Sequence, residues 1–317
     1  MTAAVEPPAA VEPPARDDIV IAEPRLRILI RHVVTTGWLL PSVALLVGLF
    51  IIPTGYAIYL GFTNLELLGQ YAQSYSFTGF ANLQRMVHDP TFWYSVKLTL
   101  IFVIGSGIIA QTVLGLGLAL LAQRVNVVVR ASVGAIVILA WVLPEITVAF
   151  IWYSFSQAGG TLSHIFGAPN SDLLSTVPML VVCMANAWRG TAFSMLLLSA
   201  GLRNVPGEVD EAAQLEGAGY WRRLFTVTLP IMRPTLMINL LLITLATISD
   251  FTLIFAMTQG GPGNQTAILP VYMYIEAFQF NQLGYGTAIA LTLVLIGAIL
   301  SIAYIRQLRP ELKDATP

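Results

Sequence analysis

VPGEVDEAAQLEGAGYWRRLFTVTLPIMRP, from Val205 to Pro234, is the longest polar, charge-bearing interruption between two apolar runs after Phe92. Pro206 suits the first turn of a helix, where its missing N–H costs nothing. Glu208, Asp210 and Glu211 put negative charge near the positive end of that helix's dipole. A short helix therefore starts here. Gly217 offers a left-handed turn to end it, and Tyr220 to Val227 predicts a second short helix closed by Pro230. Trp221, Leu224 and Phe225 fall on one face of that second helix, with Arg222 and Arg223 beside them. The product is a compact helix-turn-helix between two apolar spans, with one apolar and one charged side.

The flanking composition is that of an integral membrane protein: 56% hydrophobic residues, only 10% charged, and a mean hydropathy of +0.75. Six runs are long enough to cross a hydrocarbon core of about 30 Å at about 1.5 Å per residue. Their limits are 38–61, 94–122, 131–153, 177–202, 234–257 and 286–305. Kinks are predicted at Pro53 and Pro144. Gly115 with Ala119, and Gly297 with Ser301, read as close intrachain helix contacts. Residues 1–30 repeat VEPPA in a Pro/Ala-rich context that cannot bury a core, so a disordered tail is predicted, followed by a membrane domain over 31–309 and a short tail over 310–317. No secretory signal peptide is read at the N-terminus.

Charge sets the orientation. Thirteen of the sixteen Lys and Arg fall on one set of segments, which includes both termini and the 203–233 loop, whereas the opposite set holds Arg85 and Lys97. Positive loops stay in the cytoplasm, so both ends and the loop are predicted there. Among the external segments, residues 62–93 carry Phe77, Phe80, Phe92 and Trp93 at interfacial depth, and the Gly260-Gly261-Pro262-Gly263-Asn264 run demands a tight turn.

Function should show where polarity is expensive. Glu145, Arg189 and Asp250 lie within the third, fourth and fifth predicted spans, and Asn186 accompanies them. Two readings stand side by side, an intramembrane ion pair and a lining for a solute path, and either carboxylate is an available partner for Arg189. Trp141, Trp152 and Trp188 add stacking faces. No nucleotide-binding GxxxxGK[ST] loop, no HExxH helix and no GxSxG elbow occurs. The chain reads as non-catalytic, with no cofactor of its own. The three histidines have no metal-ligand spacing, no basic patch suits nucleic acid, and the lone Cys183 lies in an apolar run.

Glu211-Ala212-Ala213, then Gly217, Val227 and Leu229-Pro230 at their spacing, resemble the EAA loop of permease subunits of binding-protein-dependent ABC importers; Val227 stands where the pattern most often has Ile. WRGTAF from Trp188, AGL at Ala200–Leu202 and TQGGPGNQT from Thr258 resemble the carbohydrate branch, the maltose, glycerol-3-phosphate and trehalose type. The resemblance covers roughly residues 38–305. It implies an all-α type I importer fold with six transmembrane helices and a cytoplasmic coupling helix. Its implied partners are a second permease, as a heterodimer, two cytosolic ATPases that bind ATP and Mg, an extracytoplasmic solute-binding protein, and membrane lipid. It further implies that the 260–264 loop, through Gly260, Gly261, Pro262 and Asn264, faces the binding protein. The rival reading from composition is an ion-coupled secondary transporter or channel.

Overall fold

A computed structural model describes the backbone of residues 39–314 and the side chains of residues 39–307, so the predicted 1–30 tail lies outside the described residues. The chain divides into two units, residues 1–55 and 56–317. In the first, the described residues belong to the helix Leu39–Gly61, the first span. A π-turn at Val47–Ile51 precedes Pro53, and the helix continues unbroken through it. A π-turn's wider ring draws the carbonyl four residues back away from the proline ring, which removes the clash that would kink an α-helix.

The second unit is helical, with an isolated Thr63–Phe77 bridge among its described residues. Asp89 opens the second span, Pro90–Arg124: its Oδ1 accepts the Thr91 N–H at 2.8 Å, and Pro90 occupies the first helical turn. Asn126 caps the next helix in the same way, through the Val129 N–H at 2.9 Å. The third span is two helices, Val127–Val142 and Glu145–Ser156, meeting at 103°. Leu143 is extended (ψ 134°), as the residue before Pro144 must be, so the predicted kink is a full break. The fourth span, Pro178–Arg203, is one uninterrupted helix.

The predicted fifth span, 234–257, is also broken. Arg233–Ile248 stops, Asp250 lies in the gap, and Thr252–Thr258 restarts. At its other end Arg233–Ile248 meets Tyr220–Ile231 at 74°. The last helix, Leu283–Asp314, runs on into the predicted C-terminal tail. Among the described residues, four helices are long and apolar enough to span a membrane, and up to six spans result when each bent pair counts as one.

Burial centres on the fourth span. Val181 and Val182 pack with Phe102, Val148, Leu253 and Ile254, while Leu198 and Leu202 pack with Ala119 and Met232 nearer the other end. Close approach of the second and fourth spans depends on Gly115, where an added Cβ would come within 2.3 Å of Ser194 Cβ and 2.9 Å of the Met195 backbone nitrogen. The Gly115–Ala119 pair is thus intrachain packing. A third cluster, Met86, Phe92, Leu269, Tyr272, Tyr285 and Ile289, ties the short helices Ala81–His88 and Leu269–Tyr274 and the start of the second span to the last span.

Candidate functional site

The 203–233 loop contains the first helix at Gly207–Leu215, with Pro206 as its extended N-cap and Glu208 and Asp210 in its first turn. Gly217, at φ +83°, ends it: the Gly217 N–H bonds to the Gln214 carbonyl and the Ala218 N–H to the Ala213 carbonyl, both at 3.0 Å. Nothing lies within 4 Å of a Cβ built on Gly217, so glycine is required there for its backbone conformation alone.

The second helix departs from the sequence reading in two ways. It does not stop at Pro230 but runs from Tyr220 to Ile231, because the π-turn Leu224–Thr228 relieves the proline clash as at Pro53. Its apolar side also splits. Leu224 is buried, while Trp221 and Phe225 stack outward with ring centroids 6.3 Å apart and are 67% and 62% exposed. Leu215 joins them at 90%. Glu211 and Ala212 are exposed, Ala213 and Leu229 half-buried, and Pro230 exposed. Arg223 cross-braces the two helices through Asp210 at 3.1 Å.

Within the membrane domain, Glu145, Asn186, Arg189 and Asp250 line one cavity of about 360 Å³, together with Gln111 and Trp141. The 103° break puts Glu145 in the first turn of a new helix, where the dipole favours its charge. The Arg189 guanidinium donates to Glu145 Oε1 at 2.7 Å, and the two side chains are 23% and 33% exposed. Of the two available carboxylates, Glu145 is the partner. Asp250 is only 8% exposed and its Oδ1 has no hydrogen-bond partner.

Gln111 was not singled out from sequence. It lies at the end of a π-helical stretch, Phe102–Gln111, and its Nε2 donates to the Asn186 carbonyl at 3.2 Å. Its side chain fills the space beside Gly190, where an added Cβ would lie 2.1 Å from Gln111 Oε1. Asn186 in turn donates to Ser106 Oγ at 2.7 Å. The signal was an amide inside an apolar run, the same cue that marked Asn186. Trp152 and Trp188 instead line a larger groove of about 910 Å³, alongside Cys183.

The 260–264 run is the tight loop anticipated. Gln259, Gly260, Gly263 and Asn264 all have positive φ, and the Gly261–Pro262 peptide is cis. Buried Thr266 closes the loop, with its Oγ1 2.6 Å from Thr258 Oγ1 and 3.0 Å from the Gly261 carbonyl. Pro262, Gly263 and Asn264 are exposed.

Comparison with known proteins gives this architecture a context. Residues 111–310 match the family described as "Binding-protein-dependent transport system inner membrane component". The chain belongs to that family. Among relatives, the sulfoquinovosyl glycerol transport system permease SmoG of Agrobacterium fabrum is 30% identical over 293 residues, covering 86% of this chain and 90% of that protein. The trehalose transport system permease SugA of Mycobacterium tuberculosis is 30% identical over 267 residues, covering 84% of each. A chain in the crystal structure of a bacterial ABC transporter involved in the import of the acidic polysaccharide alginate shares the fold, with a TM-score of 0.69 at 18% identity over 90% of this chain and 99% of that one. This inner-membrane component therefore has the type I importer permease fold, and no observation favours the ion-coupled alternative.

Proposed function

We propose that this chain is the permease subunit of an ATP-driven importer for a neutral, hydroxyl-rich saccharide, working by alternating access. Relatives named for trehalose, trehalose/maltose and diacetylchitobiose uptake support the saccharide class. The observation that carries the charge preference is Asp250. The cavity holds two carboxylates and one guanidinium, and the guanidinium is already bonded to Glu145. What remains are an orphan acceptor, Asp250 Oδ1, and an orphan donor, Arg189 Nε, which a sugar hydroxyl satisfies together, and an excess of one carboxylate that opposes an anion. The cavity volume lies near the small end of the roughly 300–1,000 Å³ usual for ligand pockets, the size range of a small saccharide.

In this reading Glu145, Asn186, Arg189 and Asp250 line the substrate path. The exposed Leu215, Trp221 and Phe225 face, with Glu211, Ala212, Ala213, Gly217, Leu229 and Pro230 shaping it, docks on a cytosolic ATPase, one of two that bind ATP and Mg. Gly260, Gly261, Pro262 and Asn264 face the solute-binding protein, and a second, homologous permease completes the path. Both termini are cytoplasmic, in accord with the charge asymmetry.

The test is reconstitution of the complete complex in liposomes with its binding protein, measuring ATP-dependent uptake of labelled trehalose, maltose and digalacturonate. Uptake of a neutral sugar without the acidic one is expected. Uptake of digalacturonate alone would overturn the charge reading, and uptake indifferent to ATP would overturn the importer reading. In a Cys183-free background, an impermeant maleimide added outside should label a cysteine at Asn264 and miss one at Gly219; the reverse pattern would overturn the orientation.

A further inference from the structure

The cytosolic end of the second span is tied to the 203–233 loop by a contact that the loop's own fold does not require. Arg124, the last residue of the second span, holds its guanidinium over the Tyr220 ring, 4.0 Å from the centroid. Arg130 fixes that helix end: its Nε donates to the Ala122 carbonyl at 2.6 Å and its guanidinium also donates to the Val125 carbonyl at 3.4 Å. From Tyr220 the connection passes one helical turn to Arg223, which donates to Asp210 Oδ2 and Gln214 Oε1, both at 3.1 Å. The two short helices are thereby braced to each other and to the second span. A cavity of about 210 Å³ separates this underside from Leu120, Leu202 and Val205.

The consequence follows from connectivity. The loop is covalently continuous with the fourth and fifth spans, and both would follow any motion of it. The second span has no such covalent link, yet it brings Gln111 to the cavity, and a π-helical stretch, a feature frequent at functional sites, ends at that residue. We propose that Arg124 is a positioning residue that, through its stacking on Tyr220, carries displacement of the loop into the second span and so to Gln111. The inference rests on the reading of the loop as the ATPase-driven lever.

The test uses the complete complex in lipid nanodiscs, with Cys183 replaced and a spin label on a cysteine introduced at half-buried Ala110 of the second span. The readout is the change in label mobility between the nucleotide-free state and the state held by ATP with EDTA, alongside subunit stoichiometry. Arg124→Ala and Tyr220→Leu should each shrink that ATP-driven change by about two- to fivefold while the ATPases stay bound. Arg124→Lys and Tyr220→Phe, which keep a cation over a ring, should retain it. A purely structural role would lower assembly without this selective loss and rescue. Glu211→Lys and Gly217→Val serve as references. If they abolish the change while Arg124→Ala and Tyr220→Leu leave it at wild-type size, the strut is overturned and the lever stands. If the references also leave it intact, the lever reading falls and the strut with it.

Discussion

Neutralising Asp250 should separate stability from transport. Most buried charges in a membrane protein are held by a partner, and removing one member of a buried pair costs about 3–5 kcal/mol because it strands the other. Arg189→Met does this: it leaves Glu145 and Asp250 as two carboxylates around one cavity with no cation. The pair is a quarter to a third exposed, so the expected cost is about 2–3 kcal/mol, below the fully buried figure. Asp250→Asn is different. Its Oδ1 has no partner, its burial is nearly complete, and the cavity's Arg189 is already bonded to Glu145. The fold therefore gains little from the charge, and the variant should melt within about 1 kcal/mol of wild type or above it. The assay is thermal melting of detergent-solubilised protein by size-exclusion fluorescence, paired with uptake in reconstituted complex. Arg189→Met should melt lower, Arg189→Met with Glu145→Gln should recover part of the loss, and Asp250→Asn should keep its melting point while uptake falls at least about tenfold. Destabilisation by Asp250→Asn equal to that by Arg189→Met would make Asp250 a structural counter-ion. Unchanged uptake in a stable Asp250→Asn would remove it from the path.

Gly115→Ala should cost about 1–3 kcal/mol because the new methyl meets Ser194 Cβ and the Met195 backbone, and helix must move from helix; Gly117→Ala, with nothing within 4 Å, should be neutral or slightly stabilising in the same melting assay. Asp89 accepts the hydroxyls of Tyr272 and Tyr285 on Oδ2. Burial opposes its ionisation, but those bonds and the Thr91 and Phe92 N–H groups outweigh it and hold the carboxyl below its usual range. A lowered carboxylate contributes stability above its unfolded value of 3.8 that is lost as pH falls through the folded value, so the melting gap between wild type and Asp89→Asn should be constant above about pH 5 and close below pH 3.8. A gap unchanged into acid would show that the charge contributes nothing.

What the sequence disclosed and what it hid divide along physical lines. Polar residues stranded in apolar runs were legible because burying them is costly wherever the chain goes, and Glu145, Asn186, Arg189 and Asp250 do line one cavity. Which carboxylate meets Arg189 was not legible, because it depends on an angle. The 103° break at Leu143 and Pro144 swings Glu145 to the start of a new helix within reach of Arg189. The gap at Asp250 had no proline or glycine to announce it, and the two polar residues Ser249 and Asp250 are too short an interruption to end an apolar run of span length. Pro230 erred in the opposite direction, as an apparent helix end that a π-turn absorbs without ending the helix. The Asp89 network was hidden for a third reason: its tyrosines lie 183 and 196 residues away, and no local pattern encodes a partner at that distance. These failures share a location. They fall where a helix is interrupted, re-aimed or capped, and those are the points at which buried polar groups gain partners or go without them. Asp250 belongs to the second kind, a carboxylate kept in a chain break where the fold supplies no bond to one of its oxygens. If Asp250 lines the solute path as proposed, its neutral variant is more informative than that of Arg189, whose loss also strands Glu145.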